Sequence, residues 1–529
     1  MRVAGGGRGN LVGIDLGTTF SVIAHLDSKA NAVTIPNRDG DPLTASAVYL
    51  DGDTAIVGNA AKQAAAVDSG KVAQFVKRDM GEPVYSRRVA GRLFRPETLS
   101  AIILRKLKQD AERRIGPISQ AVITVPAFFD DTRRKATEDA GRIAGLEVLD
   151  IINEPTAAAL AYSIEGQRAG SGPANVLDLP GGSLTALVYD LGGGTFDVTV
   201  VRLAAKRFET LATDGAVQLG GKDWDEKIVQ FVAEEFRKRH GIDPLADPQR
   251  RDALAALAER TKILLTDLPQ APMECFHQER GLNVLLTRGQ FEELSRELLA
   301  QTQIVTELVA QQAKLNWNQI DRVLLVGGST RMPMVKNMLR RATGKEPDDS
   351  LDADQVVARG AALHAGIVAA KGRAAELAIE DEAREALEDV VVLNVNAYSL
   401  GVEAMKGDRR VNAIVIPKNT QLPYAASRVF RLTKAGATHV RVKVLEGESP
   451  NAGDNIQIGE CLVSQLSPKL PVGAPVQVRL SYGENGRISV VALDMTDGVF
   501  AHAEIEREYG LTEDDVRREA EFVDRLAIR

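Results

Sequence analysis

"VYDLGGGTFDVTV", residues 188 to 200, decides the fold. Its flanks read as β-strand, yet three consecutive glycines, Gly192, Gly193 and Gly194, interrupt them. Glycine in a strand loses backbone entropy and adds no packing, so some other group must approach that backbone closely. The N-terminal "VGIDLGTTFSVI", residues 12 to 23, repeats the design, with Asp15, Gly17, Thr18 and Thr19 standing where Asp190, the glycines and Thr195 stand in the later copy. Each copy predicts a β-hairpin whose tight turn aims backbone N–H groups and threonine hydroxyls into one space, an arrangement that favours phosphate. A carboxylate at each strand end can face phosphate only across a cation. The pair Asp15 and Asp190 therefore points to a hydrated Mg²⁺ or Ca²⁺, and Mg²⁺ is the usual companion of nucleotide phosphates.

A third glycine stretch, "VLLVGGSTRMP" (residues 323 to 333), runs from an apolar strand through Gly327, Gly328 and Ser329 into a helical pattern, a place where a nucleoside can lie against backbone. Neither the pattern G-x-x-x-x-G-K-[ST] nor a good G-x-G-x-x-G occurs, so neither a P-loop nor a dinucleotide fold is indicated. One glycine turn alone would read equally well as a plain hairpin. It is the matched second copy and the third element together that favour a nucleotide.

At roughly 150 residues per domain, a chain of 529 residues implies about three or four compact units. Lys and Arg number 65 against 72 Asp and Glu, a net charge of -7, which provides no basic field for nucleic acid or an anionic membrane. Cys275 and Cys461 form neither a disulfide framework nor a zinc set, and the six histidines show no metal spacing. A reducing cytoplasm is expected. The opening "MRVAGGGRGN" lacks an apolar export core, and no apolar run reaches the ~18 residues of a membrane span.

The motifs, in this order, resemble those of the DnaK-type seventy-kilodalton heat-shock chaperone family, from about Asn10 to beyond Gly510. "GIDLGTTFSV" and "DLGGGTFDVTV" are similar to its two phosphate loops, "INEPTAAALAY" (152 to 162) to its connecting helix, "VPAFFDDTRRKATEDAGRIAGL" (125 to 146) to its relay segment and "VGGSTRMPMV" to its adenosine loop. The resemblance implies a two-lobed, actin-like α/β ATPase domain over 1–370 that binds ATP or ADP with Mg²⁺ held through water by Asp15 and Asp190. It implies phosphate binding by Gly17, Thr18, Thr19, Gly192, Gly193, Gly194, Gly220 and Gly221. Lys77 would reach the γ-phosphate, with Glu154 and Thr195 near the attacking water, so that Asp15, Lys77, Glu154, Asp190 and Thr195 form the catalytic set. Glu259 and Lys262 would meet the ribose, while Ile263 and Thr266 meet the adenine; Gly327, Gly328, Ser329, Arg331 and Asp354 complete that side. Without the resemblance, "ALAALAERTKILL" is a plain amphipathic helix.

Beyond the ATPase half the pattern changes from helical to alternating. A charged stretch at 371–389 looks like an added helix, and "VVVLNV" in 390–395 resembles the interdomain linker that docks when ATP is bound. From Tyr398 to Glu508 about seven or eight strands predict an antiparallel β-sandwich, placed at 396–510, with a hairpin turn at Asn485-Gly486. In the family such a sandwich binds extended, apolar peptide segments of unfolded proteins, and Val402, Met405, Phe430, Thr433, Val440 and Val442 fall at the channel positions, where the plain alternative is sandwich core. Pro126, Asp131, Arg134, Asp150, Val391, Val392, Leu393 and Asn394 fall at positions that couple the halves. Asp150 and Asn394 depart from the family's arginine and aspartate, and are expected to meet each other. Residues 511–529 predict one short helix, capped by Thr512 and Asp515 and about 25 Å long, too short for the family's lid.

The resulting expectation is a cytoplasmic ATP-hydrolysing chaperone with a lidless sandwich, served by a J-domain protein and a nucleotide-exchange factor. The departures at Asp150 and Asn394, and the short lobe between Asp225 and Asp321, weigh on those two partners. The alternative from another class is a nucleotide-gated regulator or scaffold of a partner protein. A small-molecule kinase on the same ATPase fold is disfavoured, since it needs neither linker nor sandwich.

Overall fold

The computed structural model describes residues 10–169, 182–204, 206–350, 352–372, 374, 379–464, 466, 468–483, 488–496, 498, 500–504 and 510–529. Two sheets of one design form the ATPase unit. In the first, Asn10–Asp15 pairs antiparallel with Phe20–Leu26 and parallel with Ile118–Val125, which in turn runs parallel to Glu147–Asn153. In the second, Ser183–Leu191 pairs antiparallel with Phe196–Ala204 and parallel with Arg322–Val326. The two quoted stretches are thus equivalent hairpins at the centres of equivalent sheets. Their central strands are buried on both faces, as expected where helices cover a sheet on each side.

The lobes meet along the helices Glu154–Ala169 and Val356–Ala370, which are rich in small residues and approach closely. A Cβ on Gly360 would lie 1.8 Å from the Ala157 carbonyl oxygen, so this crossing requires glycine. The stretch after them forms a helix at Asp381–Glu388, whose Leu387 is buried in the core between the lobes. This added helix therefore belongs to the ATPase unit.

The sandwich has eight strands among the described residues, in two four-stranded antiparallel sheets. One is ordered Arg409–Ile416, Leu400–Lys406, His439–Glu446, Ile456–Ser464; the other is ordered Tyr424–Arg431, Pro475–Tyr482, Ile488–Asp494, Phe500–Glu504. The expected Asn485-Gly486 turn lies outside the described residues, although Tyr482 and Ile488 on either side are paired.

The end of the chain departs from the sequence expectation. Its helix covers Glu513–Arg525, 13 residues or about 20 Å, and then gives way to a short strand, Ala527–Ile528. The capping box is present, with Thr512 accepting from the Asp515 N–H. The helix lies on the ATPase unit, where Val516, Val523 and Leu526 join a core built around the helix Pro96–Ile115 and the strand Ile118–Val125. Ala527–Ile528 adds to Thr54–Val57 as a parallel edge strand. An amphipathic stripe identifies the buried face of a helix but not the surface that buries it, which is why sequence alone grouped this segment with a lid.

Candidate active site

The two glycine turns face each other across the cleft, and the group that approaches the triple glycine is the opposite turn. A Cβ on Gly193 would lie 1.9 Å from the Thr19 hydroxyl, and one on Gly194 would lie 2.4 Å from the Thr18 methyl. Gly220 approaches from the start of the helix Gly221–His240, where a Cβ would meet the Gly194 nitrogen at 2.5 Å. Gly221 packs against Ser329 and Lys262. No side chain fits between these turns, and the Gly220 and Gly221 N–H groups donate to the Asp223 carboxylate and the Gly192 carbonyl, which fixes the helix start against the second turn beside a common space.

That space is a cavity of about 500 Å³. From the first lobe, Asp15, Gly17, Thr18, Thr19, Lys77 and Glu154 line it. The second lobe contributes Asp190, Gly192, Gly193 and Thr195 from the turn and Glu259, Lys262, Ile263 and Thr266 from the helix Pro248–Asp267. Gly327, Gly328, Ser329, Arg331 and Asp354 close the far wall. Ile263 is 60% exposed, an apolar face turned to the cavity. Arg331 is paired with Asp354 at 2.7 Å, and Lys262 with Asp225 at 2.8 Å.

At the cavity floor Lys77, 6% exposed, is paired with Glu154. Burial works against the Lys77 charge, but Glu154 and Asp15 outweigh it and raise its proton affinity above the ordinary lysine value. Four carboxylates, Asp15, Glu154, Asp190 and Asp197, crowd around this one ammonium. Burial and repulsion from Glu154 push Asp15 up to about 7 and Asp197 to about 8, and raise Asp190 well above the usual range. The floor is therefore short of positive charge, the condition a divalent cation relieves. Among the described residues no three His, Cys, Asp or Glu side chains are placed to ligate a metal directly, so a cation here would be held through water.

Asp197 was not singled out from the sequence. It is fully buried and accepts from the Phe128 N–H at 2.9 Å, tying the second turn to the relay segment. A carboxylate among Phe196, Val198, Val200 and Val201 was the available signal. Arg78 and Lys222, also missed, carried none, because their partners are distant in sequence. Arg78 donates to the Gly194 carbonyl at 3.0 Å and is paired with Asp223, bridging the lobes.

The residues expected to couple the halves fall into two groups. Val391, Val392 and Leu393 pair parallel with Arg207, Phe208 and Glu209, adding the linker to the second lobe's sheet. Asp131 donates its N–H to Glu446 of the sandwich at 3.1 Å; burial and the nearby Asp130 and Asp131 raise the Glu446 carboxyl well above its ordinary value. Next to it, Tyr398 donates to the Phe128 carbonyl at 3.1 Å and Lys418 is paired with Asp214 at 2.7 Å. Pro126, Arg134 and Asp150 instead make contacts within the ATPase unit. Pro126 accepts from the Phe129 N–H at 3.1 Å, Arg134 contacts Asn153, and Asp150 lies 2.8 Å from His364 Nε2. Asn394 accepts from the Thr156 hydroxyl at 3.1 Å. Asp150 and Asn394 thus have separate partners, and the expected meeting between them is not what the structure contains.

In the sandwich, Val402 and Val442 are buried in its core, Phe430 and Val440 are partly buried against that core, and Met405 and Thr433 are exposed. The plain alternative, sandwich core, holds for the first two.

Two lobes of matching topology closing on facing phosphate turns define a two-lobed ATPase, here with a β-sandwich docked through a linker strand. The family model described as "Hsp70 protein" matches residues 11–89 and 81–525. The chain is 39% identical to the chaperone protein DnaK of Thermus thermophilus, over 98% of this chain and 83% of that one. It is 38% identical to the chaperone protein DnaK of Thermotoga neapolitana, over 96% and 82% respectively. The chain belongs to the Hsp70 family. No helix among the described residues is long and apolar enough to cross a membrane.

Proposed function

We propose that this protein is an ATP-driven chaperone, in which hydrolysis in the cleft controls the binding and release of extended apolar peptide segments by the sandwich. One observation carries the reading: two phosphate turns meet with no room for a side chain above a buried Lys77–Glu154 pair. Thr18, Thr19 and the backbone of Gly192 to Gly194 bind the phosphates. Lys77 stabilises the charge that moves onto the departing phosphoryl oxygens, and Glu154 and Thr195 orient the attacking water. Asp15 and Asp190 hold the water shell of Mg²⁺, which when bound neutralises phosphate charge. Ile263 supports the adenine face while Glu259 and Lys262 approach the ribose.

Lys77→Ala is expected to slow single-turnover hydrolysis by at least ~100-fold, about 2.7 kcal/mol at the transition state, while ATP still binds. Near-normal turnover would remove Lys77 from the catalytic set. The closed positions of Val402 and Val442 favour the second reading, a nucleotide-gated regulator. Phosphate release with and without an apolar heptapeptide separates the two: stimulation is expected of the chaperone, and its absence in an ATP-hydrolysing protein would select the regulator.

A further inference from the structure

A second cavity, of about 570 Å³, adjoins the nucleotide cavity, and six residues line both: Thr18, Thr19, Phe75, Lys222, Asp225 and Glu259. Three of these carry charge. Asp225 is neutralised by Lys262 at 2.8 Å and Glu259 by Lys62 at 2.8 Å. Lys222 makes no ion pair with any described residue. Its ammonium rests on the ring of Phe75, 4.5 Å from the centroid, so a cation–π contact between the two lobes stands in the partition that the two cavities share. The other cations of the second cavity are all paired, Arg78 with Asp223, Arg87 with Asp252 and Arg251 with Glu226.

Lys222 is also electrostatically unfavourable where it stands. It lies in the first turn of the helix Gly221–His240, at the positive end of that helix's dipole, and burial together with Arg78 lowers its proton affinity against the opposing pull of Asp223, Asp79 and Glu226, none of which is close enough to pair with it. Its own N–H donates to the Gly193 carbonyl at 2.9 Å, fixing it beside the second phosphate turn. Phe75 holds a left-handed backbone conformation, φ 58°, two residues before Lys77, so the ring and the catalytic lysine are set by one short segment. A free cation held on an aromatic face between two cavities, beside a site that generates a phosphate anion, has an evident ligand.

We propose that Lys222 and Phe75 form a gate for orthophosphate: the anion left by hydrolysis passes through this partition into the second cavity and is retained on the way by Lys222. The proposal rests on the ATPase reading, and the test separates the two. Hydrolysis is followed by rapid quench and phosphate release by a fluorescent phosphate reporter in single turnovers of the full chain. Rebinding of inorganic phosphate to the ADP-bound protein is measured alongside. Lys222→Met should raise the ratio of release rate to hydrolysis rate about fivefold and weaken phosphate rebinding by a similar factor, with Lys222→Arg restoring both to within about twofold. Phe75→Ala, which frees the ammonium without removing it, should raise the release ratio and leave phosphate rebinding stronger than in Lys222→Met. Unchanged ratios in both Lys222→Met and Phe75→Ala would overturn the gate. Absence of hydrolysis in the unaltered protein would instead overturn the ATPase reading.

Discussion

Each end of the sandwich reaches the ATPase unit by adding a parallel strand to one of its sheets, and the two attachments differ in what supports the strand. At the N-terminal end Val391–Leu393 pairs with Arg207–Glu209, but Val391 is 38% exposed, Val392 and Leu393 are only partly buried, and Val390 just before them is the one linker residue that enters the core between the lobes. At the C-terminal end only two residues pair, Ala527 and Ile528, yet the helix before them sends Val516 and Val523 into the core of the first lobe, flanked by Leu511 and Leu526. Arg142–Glu513 and Arg105–Asp524 ion pairs and a Thr98–Glu519 hydrogen bond at 2.7 Å rim that contact. Burying a Val or Leu side chain contributes ~1.5 to 3 kcal/mol, whereas exposed ion pairs contribute ~1 kcal/mol or less. The linker is therefore the attachment that a change in nucleotide state can release at low cost. The tail is built as part of the lobe.

Paired substitutions put the contrast to its hardest test. Val523→Asp places an unpaired carboxylate in a site 1% exposed, and should lower stability by at least ~3 kcal/mol, read as a fall in the midpoint of thermal unfolding. Val392→Asp, on the partly exposed linker, should change stability by only ~0.5 kcal/mol while abolishing any ATP-accelerated release of a bound peptide. Equal losses of stability at the two sites would show that the attachments are alike.

What the sequence disclosed and what it withheld divides along the same line. The facing glycine turns were legible because the Thr18 and Thr19 side chains of one turn leave no choice but glycine at Gly193 and Gly194 of the other, and that requirement is written in adjacent residues. The linker was legible as a short extended run between two changes of periodicity. The tail's helix and its capping box were legible too, but its destination was not. Glu513 meets Arg142 and Glu519 meets Thr98, and contacts spanning 371 and 421 residues leave no periodic signal. The same holds for Lys222, whose partner Phe75 lies in the other lobe, and for Val402 and Val442, whose alternation fits channel and core alike.

The tail contact should also respond to pH. Glu97 lies beneath the tail helix. Burial, with Asp139 and Glu519 nearby and Arg95 opposing, pushes its carboxyl from 4.5 to about 7. Burial also raises Asp139, which accepts from the Leu511 N–H at the start of the tail, against the opposing pull of Lys135, and so acts in the same direction, whereas Arg142 keeps Glu513 below its usual value and ionised throughout the window. A raised carboxyl means that the docked state holds a proton the undocked state does not. This stabilisation is complete below about 4.5 and is lost as pH rises through about 7. Since a tenfold change in proton affinity is about 1.4 kcal/mol, docking should weaken by roughly 1 to 2 kcal/mol between pH 5.5 and pH 8.5. Limited proteolysis of the tail across that range measures it, and Glu97→Gln should flatten the dependence. A slope that survives Glu97→Gln would assign it to another group.

The smallest effect concerns the linker's own end, where Asp150 and Asn394 replace the residues the family resemblance led us to expect. Were they in contact, Asn394→Asp would set two carboxylates against each other, and adding Asp150→Arg would recover the loss through a new pair. The structure argues otherwise. Asp150 is occupied by His364 at 2.8 Å, and Asn394 accepts from the Thr156 hydroxyl at 3.1 Å. Asn394→Asp keeps that acceptor and adds a charge at a partly buried position, so on its own it should change linker docking by no more than ~0.5 kcal/mol. Asp150→Arg removes the partner of a buried histidine and should act on the ATPase unit instead. With no shared partner, the two should add to within ~0.3 to 0.5 kcal/mol in a double-mutant cycle on nucleotide-driven peptide release. A coupling above about 1 kcal/mol would mean that the two side chains exchange partners during the cycle, and the linker would then be held by charge as well as by backbone.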